Sequence, residues 1–139
     1  MKRKAILLTL VLTLGIALGV IGSQVISTAQ QQPARNIVLQ RADLVGIEGK
    51  EGLVVLTEIA PGEVGAKHYH SGNQFGYVLD GSMIMDIEGK PPVTYKPGEA
   101  YYLLPKQVHS AKNVSGTAPV KVLAFAIAEK GQPFNVPVK

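Results

Sequence analysis

GAKHYHSGNQFGYVLDG, running from Gly65 to Gly81, decides how this chain folds. It places two of the three histidines, His68 and His70, one residue apart, sets Gln74 four residues after the second, and closes on Asp80-Gly81. On an extended segment alternate side chains face the same side, so His68 and His70 point into one space and Tyr69 faces away. Asp80-Gly81 lies between two short apolar runs, Phe75 to Leu79 and Ser82 to Ile87. That arrangement predicts a tight hairpin. Glu88 to Pro92 turns the chain again, and its two prolines keep the turn out of any central strand.

The same texture continues outward in both directions. Leu53 to Ala60, Val93 to Tyr95, Ala100 to Leu104, Val108 to Asn113 and Val120 to Ala128 carry β-branched, aromatic or alternating character. Between the runs lie PGEVG, SGN, DG, EGKPP, KPGE and SGTAP, all turn-forming. No stretch after Asn36 shows helical periodicity, and short strands at this spacing argue for an all-β sandwich or barrel. In VKVLAFAIAEK, Val120, Val122, Ala124 and Ala126 alternate with Lys121, Leu123, Phe125 and Ile127. Both faces are largely apolar, so this strand is expected to be covered on both sides, with a second subunit on one of them. A homodimer is the expected assembly.

The first 29 residues stand apart. Lys2, Arg3 and Lys4 precede an apolar run from Ala5 to Gly22, and Ser27-Thr28-Ala29 supplies small residues where an export peptidase cuts. Residues 1–29 are read as a signal peptide, which places the mature protein in the periplasm or outside the cell. The competing reading is an uncleaved membrane anchor, because the apolar run approaches bilayer-spanning length. Cleavage would remove three of 14 basic residues and none of 10 acidic ones, leaving a net charge of +1 instead of +4. Without a Lys/Arg cluster in the mature chain, nucleic acid is not an expected partner. Nor is lasting membrane association once the signal is cut. There is no cysteine, so neither a disulfide nor a thiolate ligand is available. Residues 30–45 read as a linker and N-terminal strand, 46–128 as the barrel, and 129–139 as an extended tail whose one core-type anchor is Phe134.

The histidines share a context. His68 follows Gly62 by six residues and His109 follows Gly98 by eleven, so each segment leaves a glycine turn and delivers a histidine. A metal site needs neutral imidazoles converging from different strands, a further oxygen or nitrogen donor, and an open position.

Here the chain resembles the cupin superfamily, small single-domain exported members in particular. Gly62, His68, His70, Gln74 and Gly81 lie at the spacing of the first cupin motif, G-x5-H-x-H-x3-E-x6-G, with glutamine replacing glutamate. Gly98, His109 and Asn113 match the second, G-x5-P-x-G-x2-H-x3-N. Leu104 stands at its proline, with Pro105 one residue late, and Lys106 replaces its internal glycine. The resemblance spans about Gly46 to Ala128. It implies a double-stranded β-helix of the jelly-roll type. It also implies one divalent metal used for oxygenation, isomerisation, decarboxylation or plain ligand binding, with His68, His70 and His109 as ligands and Gln74 in the glutamate's place.

Gln74 is the informative departure. A carboxylate would lower the site's charge to about +1, whereas three imidazoles and an amide leave it near +2. Weaker metal affinity, a more acidic bound water and a preference for anionic ligands should follow. Ligand type does not choose among Fe, Mn, Ni, Cu and Zn.

The expected function is therefore an exported metal-binding cupin that binds or acts on a small oxygen-bearing organic molecule, as an oxygenase or isomerase if catalytic. The alternatives are a non-catalytic metal or small-ligand binding module, and a barrel whose metal site has decayed. No residue is assigned a catalytic role, since no unambiguous acid or base is present. Glu63 and Glu99 follow turn glycines and read as exposed turn acids. Phe75, Tyr77, Tyr101 and Tyr102 read as core aromatics. Asn113-Val114-Ser115 fits a glycosylation acceptor, but a structural role for Asn113 is the better reading.

Overall fold

A computed structural model describes residues 34–138. The expected signal peptide, residues 1–29, lies outside the described residues, as do the first linker positions. The described strands are β1 (Arg35–Asp43), β2 (Lys50–Ile59), β3 (His68–Tyr69), β4 (Asn73–Asp80), β5 (Met83–Ile87), β6 (Val93–Tyr95), β7 (Ala100–Leu103), β8 (His109–Asn113), β9 (Val120–Glu129) and β10 (Val136–Pro137). They form two five-stranded sheets, ordered β1-β2-β9-β4-β7 and β10-β3-β8-β5-β6, with every pair antiparallel. No helix occurs among the described residues, and the fold is an all-β jelly roll.

The period of two sets the core. Along β2 and β9, Leu53, Val55, Val120, Val122, Ala124, Ala126 and Ala128 turn inward and are buried. The two strands run in register over ten pairs, from Lys50↔Glu129 to Ile59↔Val120. Leu53 faces Ala126 and Val55 faces Ala124. Alanines at this end leave room, and the Phe134 ring packs against them. At the other end Ile59, Val78, Met83, Met85, Tyr101 and Leu103 close the core. Each fully buried Leu or Val contributes roughly 1.5–3 kcal/mol.

Asp80-Gly81 does not make the expected hairpin. Strand β4 pairs with β7 and β9, while β5 pairs with β6 and β8, so the turn carries the chain from one sheet to the other. Gly81 is left-handed, φ 73°, and a Cβ there would come within 2.9 Å of the Pro119 carbonyl oxygen. The dipeptide supplies a sharp reversal, but pairing goes to strands distant in sequence that bury Val78 and Met83. The hairpin instead forms one turn later, across Glu88–Pro92, with Met83 opposite Tyr95.

The outward side of the first sheet corrects a second expectation. Tyr101 is a core residue, but Phe75, Tyr77 and Tyr102 are half exposed on the outer face, next to Phe125. Phe75 stacks on Tyr102 with ring centroids 4.8 Å apart.

Asn113 is fully buried and fully bonded. Its Nδ2 donates to the carbonyls of Ile59 and Ala118, and its Oδ1 accepts from the Ser115 amide. It therefore ties the end of β2 to the loop between β8 and β9, which is the structural role its position suggested.

Candidate metal centre

Strand β3 is two residues long, and His68 sits directly opposite His109, the first residue of β8. Directly opposed residues in an antiparallel pair share a face, so both imidazoles enter the barrel. His70 follows β3 and turns the same way. The ring centroids lie 4.4 Å apart for His68–His109, 4.9 Å for His70–His109 and 5.1 Å for His68–His70. Their ligand atoms all fall within 4.8 Å of one another, and the cluster could hold a metal ion.

Each imidazole is oriented from behind. His68 Nδ1 donates to the Ala66 carbonyl at 2.9 Å, His109 Nδ1 to Gln107 at 2.9 Å, and His70 Nδ1 to Phe134 at 2.6 Å. A carbonyl can only accept, so Nδ1 carries a proton in all three rings, and Nε2 is the nitrogen that holds the lone pair in a neutral ring. His70 Nε2 is buried with no protein partner. This backing by outer hydrogen bonds is what ligand histidines require.

Burial keeps the His70 and His109 rings neutral. Burial pushes His70 down to about 3, against the Phe134 carbonyl, which raises it, and with further lowering from His109 and His68. Burial likewise takes His109 down to about 4, opposed by the Gln107 carbonyl and aided by His68. Desolvation disfavours the charged form, so both present lone pairs at neutral pH.

Gln74 lines the same cavity from β4, on the facing sheet. Its side chain is hydrogen-bonded to the Tyr101 hydroxyl. Its Oε1 is buried without a partner, so the amide nitrogen serves Tyr101 and the oxygen is left over. Burial pushes the Tyr101 phenol well up, and the Gln74 bond opposes this. Gly76 makes the contact possible, because a Cβ there would lie 2.1 Å from the Tyr101 ring. His70 Nε2 and Gln74 Oε1 are thus two buried, unpartnered lone-pair atoms lining one cavity, and atoms of this kind suit a divalent ion. The residues fit the metal.

The cavity holding these groups measures about 60 Å³ and is walled by Ile59, Met85 and Phe134. It adjoins a larger space of about 250 Å³ bordered by Glu63, Lys67 and Pro137, and His68, Asn36 and Asn135 line both. Glu63 is engaged by the backbone amides of Ala34 and Ala60.

Three contributors escaped sequence reasoning. Phe134 and Asn135 belong to the C-terminal tail, and nothing in their spacing links them to residues more than sixty positions earlier. Tyr101 was legible as core but not as the partner of Gln74. Lys106 adopts the left-handed backbone, φ 60°, that the motif glycine would take, and its amide donates to the His70 carbonyl at 2.8 Å. The loop therefore keeps its shape without the glycine.

The cupin domain family matches residues 55–126. No curated protein sequence matches the chain significantly. Among solved structures the chain is similar to a cupin superfamily protein from Desulfitobacterium hafniense, at 14% identity and TM-score 0.58, over 73% of this chain and 83% of that one. It is similar to the polyketide cyclase RemF from Streptomyces resistomycificus, at 21% identity and TM-score 0.58, over 78% of this chain and 74% of that one. It is also similar to the DMSP lyase DddQ from Ruegeria pomeroyi, at 17% identity and TM-score 0.54, over 59% of this chain and 41% of that larger one. These likenesses establish a shared fold. The sequence match runs from within β2 to within β9, takes in both histidine segments and covers just over half of the chain, which makes this protein a member of the cupin domain family.

Proposed function

We propose that this chain is an exported metal-binding cupin that holds one divalent transition metal through His68, His70 and His109 and offers it to a small oxygen-bearing organic molecule. The observation that carries the reading is the shared tautomer of the three imidazoles, each tied through Nδ1 to a backbone carbonyl and so presenting Nε2. A decayed site would have no reason to keep His70 Nε2 and Gln74 Oε1 buried and unpaired. The bound metal would contribute Lewis acidity or redox chemistry. The chain itself contributes amide groups from Asn36, Gln74 and Asn135 that can orient ligand oxygens, and an apolar wall that excludes water. Fe, Mn, Ni, Cu and Zn all suit the donor set.

The fold does not choose the reaction, since a polyketide cyclase and a DMSP lyase share it. One observation favours a binding module over an enzyme. Among the described residues lining the inner cavity there is no Asp, Glu, Lys or Arg, so a step needing a carboxylate or amine as general acid or base finds none there.

Elemental analysis of protein purified without chelator or metal-affinity resin tests the proposal, beside a His68→Ala/His70→Ala control. Near-stoichiometric metal that is absent from the control is expected. A wild-type protein that is empty and also refuses added metals would overturn the reading.

A further inference from the structure

The geometry points to the C-terminal segment Phe134–Val138 as a clamp on the histidine site, so that docking of this segment and occupancy of the site are reciprocally coupled. The inference rests on the metal-binding reading above. His68 and His109 are oriented by carbonyls two residues away, within their own loops. His70 differs, because its Nδ1 donates to a carbonyl 64 residues later in the chain. The Phe134 ring also lies 4.6 Å from the His70 ring and packs on the alanine-rich end of the core.

The segment holds the other histidine of the pair as well. Strand β3 is joined to β8 by the single pair His68↔His109. On its other edge it is joined to β10 by Val136↔Tyr69 and Pro137↔His68, and the Val138 amide donates to the Lys67 carbonyl. Without β10, the two residues of β3 would be an edge strand held by one pair. Asn135, between these anchors, has a buried Oδ1 with no partner and lines both cavities.

The anchors of the clamp are few. Residues 131–133 are exposed, and Gly131 turns left-handed, φ 78°, with its amide on the Glu51 carboxylate. A segment held by a two-residue strand and one partly buried ring opens at modest cost. An ion that needs His70 in one orientation then favours the docked state, and the docked state favours the ion by the same factor.

Hydrogen exchange of the full-length protein, with and without one equivalent of zinc, tests this without any substitution. The amides of Phe134, Asn135, Val136 and Val138 should exchange about tenfold more slowly or better when zinc is bound. Zinc binding that leaves those rates unchanged would overturn the clamp while the metal reading stands. Failure of zinc to bind at all would overturn both. A chain ending at Gly131 gives a second readout by competition with a chromogenic chelator. Its zinc affinity should fall roughly 10–100-fold, and an unchanged affinity in the folded variant would sink the inference. If that variant does not fold, the exchange measurement decides.

Discussion

His68 and His109 stand directly opposite one another in antiparallel register, their ring centroids 4.4 Å apart and their planes tilted by 59°. Imidazoles this close cannot both be charged without repulsion, and His68 is one reason why His109 is hard to protonate, after burial itself. His70 and His109 are held neutral, and acid works against them.

His70 and His109 titrate at about 3 and about 4 in the folded protein, below the 6.5 of an unperturbed histidine. Between those values the unfolded chain holds more protons. Their contribution to stability is therefore intact above about pH 6.5 and is lost as pH falls toward 4 for His109 and 3 for His70, by up to about 1.4 kcal/mol per pH unit for each ring. Thermal melts of chelator-treated protein between pH 7 and pH 4 should show a falling midpoint. A His70→Gln/His109→Gln variant should show a flatter profile over the same range.

Gln74→Glu should tighten metal retention by about tenfold or more, since it places a carboxylate where an unpaired amide oxygen now sits. The same change should destabilise the metal-free protein, because a buried carboxylate replaces a neutral group. Chelator competition and melts with and without metal separate the two effects. An affinity equal to wild type would mean that position 74 does not reach the ion.

Lys106→Gly should stabilise the fold by about 1 kcal/mol, because a left-handed backbone costs a side-chain-bearing residue energy that glycine avoids. In a domain of this size that is a rise of a few degrees in Tm. The bond from the residue 106 amide to the His70 carbonyl is unaffected by the exchange, so metal affinity should hold or improve. A lower Tm would show that the lysine side chain contributes a contact that outweighs the strain.

The outer face of the first sheet carries Phe75, Tyr77, Tyr102 and Phe125, each close to half exposed. We propose that this aromatic surface docks against a second copy of itself about a two-fold axis. The chain is expected to be a homodimer through this face. Light scattering should report twice the chain mass, and Tyr77→Lys/Phe125→Lys should report a monomer. A monomeric wild type would refute the assembly.

Much of this was readable in the sequence for a physical reason. Seven of the strands were visible because period-two burial writes itself into β2, β4, β5 and β9, and because turns between them are dense in glycine and proline. The histidine cluster was visible because motif spacing fixes the strand ends that deliver His68, His70 and His109. The Asp80-Gly81 hairpin failed because turn chemistry is local, whereas the choice of pairing partner rests on Val78 and Met83 packing against distant strands. Strands β3 and β10, each two residues long, leave no periodicity to detect. The attachment of Phe134 to His70 is a tertiary contact between a backbone carbonyl and a ring. Any residue type supplies that carbonyl, so no composition signal could announce it.

The polar groups that line the site come from both layers of the sandwich: His68 and His109 from the second sheet and Gln74 from the first. A chain that contains no cysteine has no disulfide to brace one layer against the other. An ion ligated across this gap would act as a cross-link that forms and dissolves without any oxidant or reductant. The bracing of one layer against the other would then follow the supply of metal around the protein, not the redox state of its surroundings.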